Sequence, residues 1–374
     1  YQNILISIFT LFLLSINVFS KPLLEIKSKD VTFQVEKVAQ GLGVVWGMTF
    51  INSNNILFTQ RNGTIGILNT TTKQISKVTH NLIVKHEGQG GLLDVVTSPD
   101  YKYTGLLYFT YVKELNGKGV TTLATARLFK NKLINLKDIF VTKSSSSTSR
   151  HFGSSITFDE KGHLFFGVGE RGIRASAQDL TNHAGSILRL NLNGTVPSDN
   201  PFVNVKNIQP QIYSYGHRNP QGIFYDKKNE KLYSIEHGPR GGDEINIILK
   251  GGNYGWPIIS YGKEYWGPIS VGEGTHKKGM EQPFKVYIPS IAPSSLIMYT
   301  GDKFPQWKGD LFSGALKLAH INRIKLDSKS NEVYEERLLE SLNERIREII
   351  QSPDGLIYFS SDGGNIYKIK PKMK

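Results

Sequence analysis

At 374 residues the chain is long enough for one large domain or two ordinary ones, with a sizeable buried core. Its 37 glycines, 11% aromatic residues and many short apolar runs favour strands over helices, and the lack of any cysteine excludes disulfides, thiolate metal centres and cysteine nucleophiles. The net charge of +13 comes from lysines scattered along the chain; they are not gathered into the stripe that marks a nucleic-acid binder.

Residues 1–20 read as a targeting segment. Ile4 to Phe19 is almost wholly apolar, and Val18-Phe19-Ser20 resembles a small-residue cleavage site ahead of Lys21. The run is shorter than the about 20 apolar residues a membrane span needs, so a cleaved signal peptide is expected and a retained anchor is the alternative. An export signal without cysteine points to a bacterial envelope protein, periplasmic or secreted.

From residue 47 onward one pattern recurs six times: an apolar strand, a polar turn with Asp, Asn or Gly, then an aromatic-rich strand. The six stretches are 47–60, 94–111, 154–170, 222–238, 296–316 and 347–362. Spacing of roughly 50–75 residues is the repeat scale of propeller blades, and a lone hairpin cannot bury its own faces. A third strand of period two follows each hairpin, for example ILRLNLNG after the third and EINIILKG after the fourth. The early strand VTFQVEKVA, 31–39, has no local partner and would close the ring by completing the C-terminal blade. The expected fold is therefore all-β, a six-bladed β-propeller spanning residues 30–374; two β-sandwiches are the rival. Residues 260–290, the longest irregular insertion, are expected to lie over one mouth.

The chemistry is densest in 214–257, where Gly- and Pro-rich turns let main-chain carbonyls approach a ligand. Candidate residues sit at strand ends throughout: Gln89, His151, Glu170 with Arg171, His217 with Arg218 and Asn219, His237 with Gly238 and Pro239, Lys317, Arg345 and Arg347. A histidine near a carboxylate is a general-base candidate, which fits His151 with Glu170. Lys317, Arg345 and Arg347 suit a multiply anionic ligand, and strand alternation puts the two arginines on one side. No phosphate-binding loop, strand-linked dinucleotide fingerprint, zinc-protease helix or hydrolase elbow is present; GVGERG ends a hairpin without a βαβ unit around it.

GQGGLLDV, HFGSSITFD, ILRLNLNGTVPSDNPF, YGHRNPQG, EHGPRGGDEIN, GGNYGWP and PSIAPSS, in that order, resemble the soluble glucose and aldose sugar dehydrogenases that use pyrroloquinoline quinone (PQQ), over roughly residues 33–370. The resemblance implies oxidation of the C1 hydroxyl of an aldose to a lactone, PQQ and Ca2+ as cofactors, and an external electron acceptor. It assigns His151 as the base, Glu170 as the residue orienting it (Asp in the family), Gln89 as lining the reaction centre, and Arg218 as the arginine beside the reacting quinone carbonyl. Asn219, His237 (Gln in the glucose enzyme) and Ser290 (Thr there) become cofactor contacts. Lys317, Arg345 and Arg347 meet the cofactor carboxylates, and the main-chain carbonyls of Gly238 and Pro239 ligate calcium. Arg150 replaces an acidic neighbour of the base, which opens the question of sugar preference, and ligands for a second, structural calcium are not evident. A lactonase-type hydrolase and a cofactor-free ligand-binding propeller are the alternatives; monomer and homodimer both stay open.

Overall fold

The structure is a computed structural model and describes residues 23–372. The predicted leader, residues 1–20, lies outside the described residues. Strands dominate the rest and form six antiparallel sheets, five of four strands and one of five. The innermost strands are Val45–Phe50, Leu92–Thr97, Ile156–Phe158, Pro220–Asp226, Pro293–Met298 and Ile346–Gln351. Each packs against the next and the last against the first, so the ring is closed. The six predicted hairpins are the inner two strands of these six blades.

Closure is made as the early strand implied. Thr32–Ala39 pairs antiparallel with Ile366–Pro371, with Val35 opposite Ile369, and so joins the two ends of the described chain within one sheet. A further strand, Leu24–Lys27, adds to its outer edge, so the propeller begins ahead of residue 30.

Adjacent blades approach too closely for ordinary side chains at two inner positions. A Cβ at Gly47 would come within 2.8 Å of the Val95 nitrogen, and one at Gly222 within 2.5 Å of the Leu296 nitrogen. Short polar side chains stitch the inner strands together. Asp94 Oδ2 accepts the Ile156 N–H at 2.7 Å, Ser155 Oγ the Ile223 N–H at 3.1 Å, and Thr157 Oγ1 the Tyr225 N–H at 3.2 Å. Between each pair of neighbouring sheets lies an apolar cluster. One joins the last two blades through Phe33, Phe304, Trp307 and Phe359, with the Phe304 and Trp307 rings stacked 4.4 Å apart. Each fully buried Phe or Leu adds about 1.5–3 kcal/mol.

Residues 155 and 157 meet 223 and 225 in step, so neighbouring inner strands run parallel. Their N-terminal ends therefore collect at one mouth of the axial channel and their C-terminal ends at the other. A cavity of about 1080 Å³ opens at the C-terminal mouth, lined by Phe50, Thr97, Phe158, Tyr225, Met298 and Gln351. Every predicted site residue belongs to the opposite mouth, as the parallel ring requires. Cavity size and chemistry point to different ends here, and the chemistry locates the candidate site.

Candidate functional site

His151 stands in a left-handed backbone conformation, φ 57°, in the segment leading into the third inner strand. That region is uncommon for a residue with a side chain, and it persists where surrounding contacts over-determine it. Here the backbone N–H donates to Gln89 Oε1 at 2.7 Å, and Nδ1 lies 2.7 Å from Glu170 Oε2. Glu170 also accepts the Gly172 N–H. Beneath them the buried Arg171 turns away from the mouth. Its Nη1 donates to the carbonyls of Gly119 and Ser144, its Nη2 to Thr148 and its Nε to Arg150, while the guanidinium lies 3.7 Å from the centre of the Phe152 ring. Arg171 is thus the clamp that holds the loop carrying His151. Burial foremost, helped by the Arg218 and Arg150 charges, pulls the His151 imidazole below its ordinary range, while Glu170 opposes the shift. That shift favours the neutral ring near pH 7, with Nδ1–H donating to Glu170 and Nε2 as the unprotonated nitrogen.

Arg218 enters from the neighbouring blade. Its backbone N–H donates to Glu236 Oε2 at 2.6 Å, and its Nη1 to the carbonyls of Gly238 at 2.9 Å and His237 at 3.2 Å. Asn219 is buried, its Oδ1 accepting the Gly153 N–H at 3.2 Å, so it ties the third blade to the fourth. His217 is structural: fully buried, it is bonded to Glu236 and Ser214 and stacked on Tyr254 at 4.6 Å. His237 reaches the fifth blade through Nε2 to the Pro293 carbonyl at 2.6 Å. Burial, then the Arg218 charge, draws its pKa down to about 3, so it too stays neutral.

The Gly238-Pro239 turn is held by a residue that the sequence did not single out. Asp243 Oδ1 accepts the Gly238 N–H at 2.9 Å, and its Oδ2 accepts the Ser290 hydroxyl at 2.7 Å and the Ala292 N–H at 2.8 Å. The Ser290 proton is therefore committed to Asp243, which limits the predicted cofactor contact to a remaining lone pair. The Gly238 carbonyl accepts from Arg218 Nη1 at 2.9 Å, and the Pro239 carbonyl from the Tyr265 hydroxyl at 3.1 Å. Peptide carbonyl oxygens are hard donors of the kind a calcium ion takes. Among the described residues no group of three or more His, Asp or Glu side chains forms a metal shell.

Two of the three predicted rim cations are engaged by the chain's own carboxylate. Arg345 Nε and Arg347 Nε both donate to Asp362, at 3.0 and 2.8 Å, so one carboxylate of the chain itself draws the pair together. Arg347 is buried with its guanidinium 4.3 Å from the Trp46 ring centre, whereas Lys317 is exposed and no described carboxylate pairs with it. Arg61 joins this group unannounced: burial first, then the nearby Arg347 charge, depresses its pKa, and its buried Nε has no hydrogen-bond partner. Arg218 Nε is buried and unpartnered as well. Two arginines with orphaned donors, flanking a cationic rim, fit an anionic, oxygen-rich ligand. The predicted insertion does lie over this mouth, since Tyr265 Oη accepts from Arg218 Nη2 at 3.4 Å. Only its Gly and Lys content drew attention to that segment; Tyr265 and Arg61 carry no sequence signal beyond standing at strand ends or in an insertion.

Fold and site together define a six-bladed propeller with a buried histidine–carboxylate pair and a cationic rim over a single mouth. The glucose/sorbosone dehydrogenase profile matches residues 42–368, and the chain belongs to that family. It is 37% identical to aldose sugar dehydrogenase YliI of Escherichia coli, over 91% of this chain and 94% of that protein. It is 27% identical to quinoprotein glucose dehydrogenase B of Acinetobacter calcoaceticus, over 91% and 88%. The apo-form crystal structure of the soluble aldose sugar dehydrogenase of Escherichia coli superposes with a TM-score of 0.87 at 35% identity, covering 91% of this chain and all of that one.

Proposed function

We propose that this protein oxidises the C1 hydroxyl of aldose sugars to lactones, with PQQ and calcium bound at the His151 mouth and electrons passed to an external acceptor. The observation that carries the proposal is the neutral His151, fixed by Glu170 and Gln89 with Nε2 free, on the mouth that also gathers Arg218, Arg61 and Arg347. Support comes from family membership and from the quinoprotein name of the Acinetobacter relative.

In this reading His151 Nε2 takes the proton of the C1 hydroxyl, and Glu170 stabilises the resulting imidazolium through Nδ1. Arg218 orients and polarises the reacting carbonyl region. Lys317, Arg345 and Arg347, with Arg61 behind them, balance carboxylates at the far rim. Gly238 and Pro239 would hold calcium through their carbonyl oxygens. The chemistry supplied by the bound groups is a two-electron hydride acceptor and Lewis-acid polarisation of its carbonyl.

The apolar run at residues 4–19 supports export to the periplasm or medium. No described helix is long and apolar enough to cross a membrane. The test is reconstitution with PQQ and calcium, followed by dye reduction with a panel of aldoses. Tight cofactor uptake with no dye reduction by any sugar would overturn the proposal in favour of a binding protein, and lactone hydrolysis without quinone would favour a hydrolase.

A further inference from the structure

A strap of residues 263–270 crosses the rim and is pinned at both sides. Arg240 and Lys263 exchange two backbone hydrogen bonds of 3.3 Å, and the Glu264 N–H donates to the Ile269 carbonyl at 2.8 Å. Arg174 clasps Glu264 from the third blade, Nη1 to Oε1 at 2.6 Å and Nη2 to Oε2 at 2.7 Å. A two-pronged pair of this kind fixes orientation as well as position. Despite that anchoring, Tyr265 is 65% exposed and Trp266 75%. The other tryptophans, Trp46, Trp256 and Trp307, are 8% exposed or less. Ile173, Ile269 and Ile288, all on the same rim loops, are exposed too.

Tyr265 links this surface to the reaction centre, its hydroxyl donating to the Pro239 carbonyl and accepting from Arg218. The Trp266 indole stands one residue further out. A flat aromatic face held in water by a rigid strap suits a pyranose ring, which packs its C–H face on the indole and keeps its hydroxyls hydrated.

We propose that Tyr265 and Trp266 form an outer sugar subsite, which receives the second pyranose of an oligosaccharide whose reducing end lies at His151. This rests on the aldose-oxidising reading of the mouth and extends it to a substrate class, short oligosaccharides in preference to free monosaccharides.

Two measurements test it. In the reconstituted enzyme, Trp266→Ala should raise KM for di- and trisaccharides about tenfold and leave monosaccharide KM within about twofold, while Trp266→Phe restores most of the difference. In the cofactor-free protein, a trisaccharide with its reducing end converted to the alditol should shift tryptophan emission to the blue, because Trp266 is the exposed indole, and Trp266→Phe should abolish the shift. Equal KM changes for both sugar classes, or no emission shift, would overturn the subsite. So would an effect seen only with a protein electron acceptor, which would make the patch a docking face. If the wild-type enzyme reduces no dye with any sugar, the dehydrogenase reading falls, and the emission experiment still decides the subsite by itself.

Discussion

The Nδ1 atom of His151 lies 2.7 Å from Glu170 Oε2, and this bond decides which nitrogen faces the mouth. Glu170 favours the protonated ring, whereas burial and the Arg218 and Arg150 charges favour the neutral one. If His151 is the base, kcat/KM falls as the ring protonates, along an acid limb below pH 6.5. Arg150→Ala removes a charge that depresses the pKa, so the limb should move to higher pH. Glu170→Gln removes a group that raises it, so the limb should move to lower pH while kcat drops 10²-fold or more, on the order of a lost general-base arrangement. Rate profiles of the two variants check the pair, and shifts in the same direction would contradict it.

The rim cations should separate by burial. Lys317 is exposed without a described carboxylate partner, so Lys317→Ala should leave thermal stability unchanged. It should weaken PQQ binding about tenfold at low salt and by less at high salt, where screening is stronger. Arg347 is buried, packed on Trp46 and bonded to Asp362, so Arg347→Ala should lower both cofactor affinity and melting temperature. Titration at two ionic strengths beside a thermal scan distinguishes the two behaviours.

Gly238→Ala should disable the turn proposed to hold calcium. A Cβ there would come within 2.1 Å of the Gly242 carbonyl oxygen, and the backbone must move to accommodate it. The expected result is a folded protein whose PQQ loading no longer responds to added calcium. Wild-type-like calcium dependence would show that Gly238 is not a ligand.

His183 offers a test of stability that is independent of catalysis. It is buried, its Nδ1 accepting the Lys143 N–H at 2.8 Å, and burial pushes its pKa down to about 4. The unfolded ring titrates near 6.5, so the unfolded state takes up the proton first as pH falls. Stability should therefore decline between about pH 6.5 and pH 4, by about 3 kcal/mol from this group. His183→Asn keeps a short acceptor without the titration, and denaturant unfolding across that window should show a flatter decline.

The six hairpins, their third strands and the closing strand were legible because period-two patterning and turn residues are properties of contiguous sequence. The outermost strands were not: Ile75–Val78, for example, is mostly exposed and carries too little alternation to register. Clustering of the site residues at strand ends was readable as well, and the family resemblance supplied their roles. What only the tertiary structure decided is which side chains share partners. Asp362 draws Arg345 and Arg347 together, Asp243 claims the Ser290 hydroxyl, Arg171 turns inward to clamp a loop, and Tyr265 reaches Arg218 from across the insertion. Those contacts depend on where a closed ring brings strand ends that lie tens of residues or more apart, and local pattern holds no record of that distance.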